Sequence, residues 1–364
     1  MLQTHNFTQL SVFNNQNGSQ ENGEQRNPDE FLYKTNPKQS TSADGVYRSK
    51  VRIVLNPKAP ENSVVRSSQY WLKSANRSLG VVSSLSINDR SCPIFTAFKK
   101  LWYSNDENKK ALAKRIFQKN ESLWCIVQVL EDDNQPEMVG KFKIMKLAQD
   151  IYVKLSDKMN PSPESKRVPY PALDALIGLE LNLEVQPGPN DPKDPTRVNR
   201  EISYSLSQFG DATPVQGVFS EEELELIYEY AEAYDAALNG KTDKKKKEGE
   251  EKANSIFPQL APLYKKAEEF IKENVTFDLQ EEKGYKPWSG YTKDFVEQWL
   301  AVVNNGGDPE ITELALGGNH PSTQPFNQTI NEHAIKEGPG GSTNISVVPG
   351  GSTQPDTDDD DLPF

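Results

Sequence analysis

At 364 residues the chain is long enough for one large core or two smaller ones, but only 35% of it is hydrophobic, so part of the length is expected to stay unpacked. A net charge of −12 excludes a uniformly basic nucleic-acid binder, yet residues 46–146 hold 18 Lys or Arg against 9 Asp or Glu, a local +9 that leaves −21 for the remainder. A basic block with acidic flanks is what a polyanion binder with a repelling tail shows.

Residues 1–27 are rich in Asn, Gln, Ser and Gly and lack periodicity, so they read as a flexible segment. They carry no basic start followed by an apolar run, so no signal peptide is expected, and no apolar stretch approaches the roughly 20 residues of a membrane span. With two cysteines, Cys92 and Cys125, there is no disulfide framework; a reducing, cytoplasmic compartment is expected. From Phe31 short β-like runs begin. Residues 50–55 alternate charged and apolar side chains and stop at Asn56-Pro57; residues 68–72 and 80–83 read as further strands. Residues 93–117 read as helix, with Phe95, Phe98, Leu101 and Trp102 at three- and four-residue steps. Residues 123–130 form the strongest strand, joined through a turn at 132–135 to a partner at 139–144. Residues 179–185 alternate as a half-buried strand, 187–195 form a Pro- and Gly-rich loop, and 202–209 resume a strand.

Ser220, followed by Glu221, Glu222 and Glu223, is a helix start: the hydroxyl caps free N–H groups and the acids oppose the helix dipole. Helices are expected through Ala237, over 261–273 and over 292–303, with Lys244 to Lys247 on a solvated helical loop. Beyond Gly317 the composition turns to Gly, Pro, Ser, Thr, Asn and Gln, a flexible tether ending in Asp358, Asp359, Asp360, Asp361, Leu362, Pro363 and Phe364. The organisation expected is therefore α+β: 1–27 flexible, 28–215 an OB-type β-barrel core with a small inserted subdomain, 216–316 a helical segment, and 317–364 a disordered linker with an acidic tip.

Single-stranded nucleic acid is held by a positive groove plus aromatic faces on which bases stack. The basic block interleaves both. Tyr47 precedes Arg48, Lys50 and Arg52, which share one face of a strand. Tyr70, Trp71, Lys73 and Arg77 follow. Lys99, Lys100, Trp102 and Tyr103 close the next segment. Lys109, Lys110, Lys114 and Arg115 lie on helix, with Lys119 behind, and Lys141 and Lys143 share a face of the later hairpin. Phe95, Phe98, Trp124 and Phe142 are expected in the core rather than on the surface. The tip offers something different. Its acids are drawn to basic grooves, and its terminal Leu-Pro-Phe with a free carboxylate is an apolar hook that a partner's Arg or Lys can clamp. A tether raises the tip's local concentration at the chain's own groove, where it competes with DNA.

The tip resembles the C-terminal peptide of bacterial single-stranded-DNA-binding proteins. Residues 31–209 resemble the core of the single-stranded-DNA-binding proteins of T4-like phages. The residues that carry this are 51–55, Ser91-Cys92-Pro93, 112–115, Leu123-Trp124 with its apolar strand, 140–143 and 179–185. The resemblance implies an OB barrel with a small subdomain, cooperative sequence-independent binding of single strands during replication, recombination and repair, a host-cytoplasmic location, and a groove lined by Lys114, Arg115 and Lys143. It also implies zinc held by Cys and His in the subdomain. Here Cys92 stands in Cys92-Pro93-Ile94-Phe95 without a second cysteine, Cys125 sits in a strand, and His5, His320 and His333 lie in the tails. The expectation is accordingly no metal or other cofactor, with an apolar substitute around Phe95. Residues 1–27 contain one Arg and no Lys, unlike the family's basic cooperativity segment.

No phosphate loop, dinucleotide fingerprint, nucleophile elbow or metal-spaced His pair appears, and no histidine lies in the expected folded part, so no enzymatic activity is expected. Two alternatives stay open: an acidic replisome adaptor acting through the tip and residues 220–303, and single-stranded RNA binding.

Overall fold

The computed structural model describes residues 28–83, 92–165, 167–187, 190–191, 194–198, 202–285 and 287–315. The readings made for residues 1–27 and 316–364, the tip among them, fall outside the described residues. The described chain is a mixed α+β structure. Its strands are β1 (Leu32–Tyr33), β2 (Tyr47–Val54), β3 (Val64–Lys73), β4 (Ser78–Ser83), β5 (Gln118–Glu131), β6 (Phe142–Leu147), β7 (Leu179–Pro187), β8 (Asn190–Asp191), β9 (Asp194–Val198), β10 (Ile202–Ser203) and β11 (Gln208–Ala212). Its helices are α1 (Pro93–Trp102), α2 (Glu107–Ile116), α3 (Gln149–Met159), α4 (Glu221–Asn239), α5 (Asp243–Ile256), α6 (Ala261–Asn274), α7 (Leu279–Lys283) and α8 (Gly290–Asn304). Two compact units divide the described residues: those within 28–68 and 121–285 make the first, those within 69–83, 92–120 and 287–315 the second.

The first unit is organised by a sheet of order β1-β6-β5-β2-β7-β10, with β11 also on β7. Along this path the β1–β6 pairing is parallel; β2 runs antiparallel to both β5 and β7. β1 and β10 end this path, so the pairing traces an open sheet rather than the closed barrel read from the sequence. Strand alternation sorts the core into two layers. Val51, Ile53, Cys125, Val127, Val129, Met145, Leu181 and Leu183 face one cluster, which α3 covers with Ile151, Leu155 and Met159. Val54, Ile126, Phe142 and Ile144 face the other, covered by Ile271, Val275, Phe277 and Leu279. The β2–β5 register shifts where Lys50 opposes Glu131 but Val51 opposes Val129, leaving Leu130 as the extra residue of a bulge. β10 and β11 divide the single strand expected over 202–209.

α4, α5 and α6 build a third cluster on Leu176 and Ile177. Ser220 caps α4 in a capping box with Glu223, as its sequence indicates. Lys244 to Lys247, expected on a loop, lie instead inside α5. Thr242 caps that helix, and Lys244–Glu248 and Lys247–Glu251 pair along its exposed face. Gly249 is where α5 meets α4: a Cβ there would stand 2.6 Å from the Ala237 nitrogen and 2.9 Å from the Ala233 carbonyl oxygen.

The second unit is a β-strand pair on three helices. Tyr70, Leu72 and Val81 from β3 and β4 pack with Phe95 and Phe98 of α1, Ile116 of α2, and Phe295, Val296 and Trp299 of α8. The helix expected over 93–117 is broken in two because Asp106 takes the N-cap of α2, accepting from the Asn108 amide. α8, which the sequence groups with the segment 216–316, belongs to this unit: the Trp299 indole donates to the Lys73 carbonyl (2.9 Å) and its ring meets Phe117 edge-on. Phe95, Phe98 and Phe142 are buried, as expected of them.

Candidate nucleic-acid interface

In the first unit the basic residues of β2 are consumed by internal partners. Arg48, Lys50 and Arg52 do share one strand face, opposite Glu184, Asn182 and Glu180 of β7. That neighbour strand is acidic. Arg48 is exposed, but Asp44 binds it at 2.7 Å and Glu184 lies at 4.0 Å; the hydrogen bond to Asp44 raises its affinity for its proton. Lys50 reaches Glu131 at 3.0 Å and Glu180 at 3.7 Å, and is held above the usual lysine range chiefly by Glu131.

Arg52 and Tyr47 need correction as DNA contacts. Arg52 is fully buried. Its guanidinium donates to the carbonyls of Asp174 and Gly178 and to the Thr213 hydroxyl, and its Nε has no partner. Burial pulls it down to about 10. Tyr47 is fully buried as well. Its hydroxyl donates to Asp132 at 2.6 Å beside that of Tyr33 at 2.5 Å, and accepts from Gln135. Burial first, then the bond to Asp132, pushes both phenols up. Asp132 also accepts from the Asn134 and Gln135 amides, so this cluster locks the turn after β5 and presents no stacking face. Near the other edge, Lys143 is half-buried with its ammonium on the Glu30 carbonyl (2.6 Å), and burial lowers its pKa; Lys141 is exposed. Trp124 is half-buried, with the Lys283 ammonium 4.8 Å over its ring.

The second unit is different. Tyr70 is corrected here: it points into the core, because β3 alternates and Leu72 shares its face. Gln69, Trp71 and Lys73 occupy the opposite, half-exposed face. Gly80 leaves room there; a Cβ on it would meet the Gln69 amide at 2.5 Å and the Trp71 ring at 3.4 Å. Arg77 is exposed at the β3–β4 turn. On α1, Lys99 lies 5.0 Å over the Phe95 ring, Lys100 is exposed, and Trp102 stacks on Phe98 (5.7 Å) with the Lys114 ammonium 5.3 Å over its own ring. Tyr103 ends α1 with half its surface exposed. Lys109 is exposed, Lys110 pairs with Glu107 at 2.8 Å, and Lys119 is half-exposed. Among the described residues no carboxylate stands within ion-pair distance of Lys73, Arg77, Lys100, Lys109 or Lys114. Arg115 is the exception: Asp308 and Glu310 hold it. Those two acids were not among the residues singled out from the sequence. Asp308-Pro309-Glu310 reads as a turn, and nothing local reports a contact with a residue nearly two hundred positions earlier.

Cys92 is buried among Ile94, Phe95 and Phe98. No group of three His, Cys, Asp or Glu is assembled among the described residues, so the donor set a structural zinc needs is not present there. No helix among the described residues is long and apolar enough to cross a membrane. No protein-family model matches the chain, and no curated protein is significantly similar to it.

Proposed function

We propose that the protein binds single-stranded DNA without sequence preference, as a binding protein of replication, recombination and repair rather than an enzyme. The observation that carries this is the grouping in the second unit of Lys73, Arg77, Lys100, Lys109 and Lys114, cations without acidic partners among the described residues, with the accessible aromatics Trp71, Trp102 and Tyr103. Cations with no carboxylate to give up lose no ion pair when a phosphate arrives, and each base stacked on an aromatic contributes about 1–3 kcal/mol. Part of the same proposal is that the antiparallel β2, β5, β6 and β7 sheet is an OB-type core and that the second unit is the subdomain of the T4-like phage proteins. The tip, Asp358 to Phe364, recruits partner proteins and competes with DNA for the cations, since its charge repels phosphate.

A second reading has one observation behind it. The outer face of α4 exposes Glu221, Glu222, Glu225, Glu229, Glu232 and Asp235, which suits an acidic adaptor that docks basic partners. Titration of single-stranded DNA, single-stranded RNA and duplex DNA into the full chain and a chain ending at 315, at several salt concentrations, separates the readings. Salt-sensitive preference for single strands that survives or strengthens on tail removal supports the proposal. No binding by either chain sinks it and favours the adaptor, and equal binding of RNA removes the DNA preference. Deleting 358–364 is expected to abolish partner capture while DNA binding persists.

A further inference from the structure

Arg115, unlike Lys73, Arg77, Lys100, Lys109 and Lys114 of its unit, is held by carboxylates. Its Nη2 is paired with Asp308 and its Nε lies 2.9 Å from Glu310, so two carboxylates share the Nε–Nη2 edge of the guanidinium. The acids come from one short strap, residues 308–314, which follows α8. The strap is anchored at its ends rather than at its charges. Pro309 and Leu314 are buried. The Ala75 amide donates to the Thr312 carbonyl (3.1 Å), and the Asn76 side chain exchanges two hydrogen bonds with the Leu314 backbone (3.2 and 3.3 Å). Asp308 also accepts from the Glu310 amide through its other oxygen, which fixes the turn that presents both carboxylates together. The strap thus joins the β3–β4 turn, which carries Arg77, to the helix carrying Lys114 and Arg115.

Two carboxylates fixed on one guanidinium stand in for what that guanidinium would otherwise hold: the oxygens of a nucleic-acid phosphate, which bind the same donor fork. Arg115 is half-exposed in this state, with Asp308 at 23% and Glu310 at 25%, so its pairs are open to solvent on the arginine side and screened there by salt. The acids can therefore be displaced without unseating the strap's apolar anchors. We infer that the 308–314 strap is an autoinhibitory contact, in which Asp308 and Glu310 mimic a backbone phosphate and withhold Arg115 until a single strand displaces them. This rests on the single-strand-binding reading of the same surface.

The test is D308N/E310Q in the full chain, titrated with an oligothymidylate between 50 and 200 mM salt, beside wild type, R115Q and the triple variant. The amide side chain of D308N can still cap the turn, and thermal melts verify that each variant is folded. With the acids neutralised, Arg115 meets a phosphate without exposing two carboxylates that take up counterions in exchange, so the slope of log affinity against log salt steepens by about 0.7. Binding at 50 mM salt tightens about five-fold, the size of one released arginine contact. R115Q alone should change little, and R115Q in the triple variant should erase the gain. If wild type binds and D308N/E310Q matches it in affinity and slope, the strap is not a competitor and the inference fails while the binding function stands. If the gain persists in the triple variant, it comes from bulk charge rather than Arg115, and the inference fails. If no variant binds single strands, both the inference and the function are overturned.

Discussion

Arg52 offers the sharpest test of the structural assignment, because sequence pattern places it beside Arg48 and Lys50 on a DNA-facing strand and the fold places it inside. Consider Arg52→Met, which keeps most of the volume and removes the guanidinium. The carbonyls of Asp174 and Gly178 would each lose one of two donors in a site without solvent access, the Gly178 and Thr213 amides still serving them; a hydrogen bond from a charged donor contributes about 1.5–3 kcal/mol, so losing two costs about 3–6 kcal/mol. Against this, the protein currently bears the burial of a charge. The drop from 12.5 to about 10 corresponds to about 3 kcal/mol against the charged form, and the substitution relieves a cost of that order. The balance is a net loss of about 0–3 kcal/mol for Met. Arg52→Ala adds a cavity of most of a side chain and should cost about 2 kcal/mol more. Urea unfolding followed by tryptophan fluorescence measures this, and an oligothymidylate titration below the melting transition measures binding. The expected result is lowered stability with affinity within two-fold of wild type. A ten-fold loss of affinity at unchanged stability would refute the reasoning, since only a guanidinium that reaches the ligand could produce it.

Three further outcomes follow from the same structure. Lys50→Gln should leave affinity within two-fold, because Glu131 and Glu180 already neutralise that lysine, whereas Lys100→Gln with Lys109→Gln should flatten the log–log salt slope by about 1.4 if both meet phosphate; equal slopes would place the ligand elsewhere. Gly249→Val should cost about 1–3 kcal/mol by forcing α5 off α4, visible as a lower thermal midpoint by circular dichroism; an unchanged midpoint would mean that the helix pair adjusts freely. Alkaline unfolding should begin near pH 10: Tyr33, Tyr47, Tyr170, Tyr230, Tyr234 and Tyr264 all hold their protons above the ordinary phenol value through burial, Tyr234 up to about 12. Their folded affinities exceed the unfolded ones, so their stability is intact below pH 10 and is lost above it, at up to about 1.4 kcal/mol per pH unit each. Arg52, shifted the other way, returns at most one such contribution. A cooperative transition with phenolate absorbance at 295 nm is the readout; gradual independent titration without unfolding would contradict the burial of these rings.

Much of the local structure was legible because it depends on near neighbours. The alternation in residues 50–55 and 179–185 specifies half-buried strands, since the side-chain period of a strand is two. Ser220 before three glutamates specifies a helix start. The apolar steps at Phe95 and Phe98 specify a buried helix face. What the sequence could not decide is which of two equivalent strand faces meets another acidic strand, and which charge meets which distant partner. Tyr47, Arg52 and Tyr70 look like surface residues in pattern but are interior in fact, because burial is set by what packs against a strand face and not by the strand alone. Arg48 and Lys50 are neutralised by carboxylates of β5, β7 and the β2 approach, and Arg115 by a strap at the far end of the described chain. The basic block was thus a property of the sequence; which of its cations are left without an acid was decided by the tertiary structure, because charge is fixed by composition while pairing depends on distance in space.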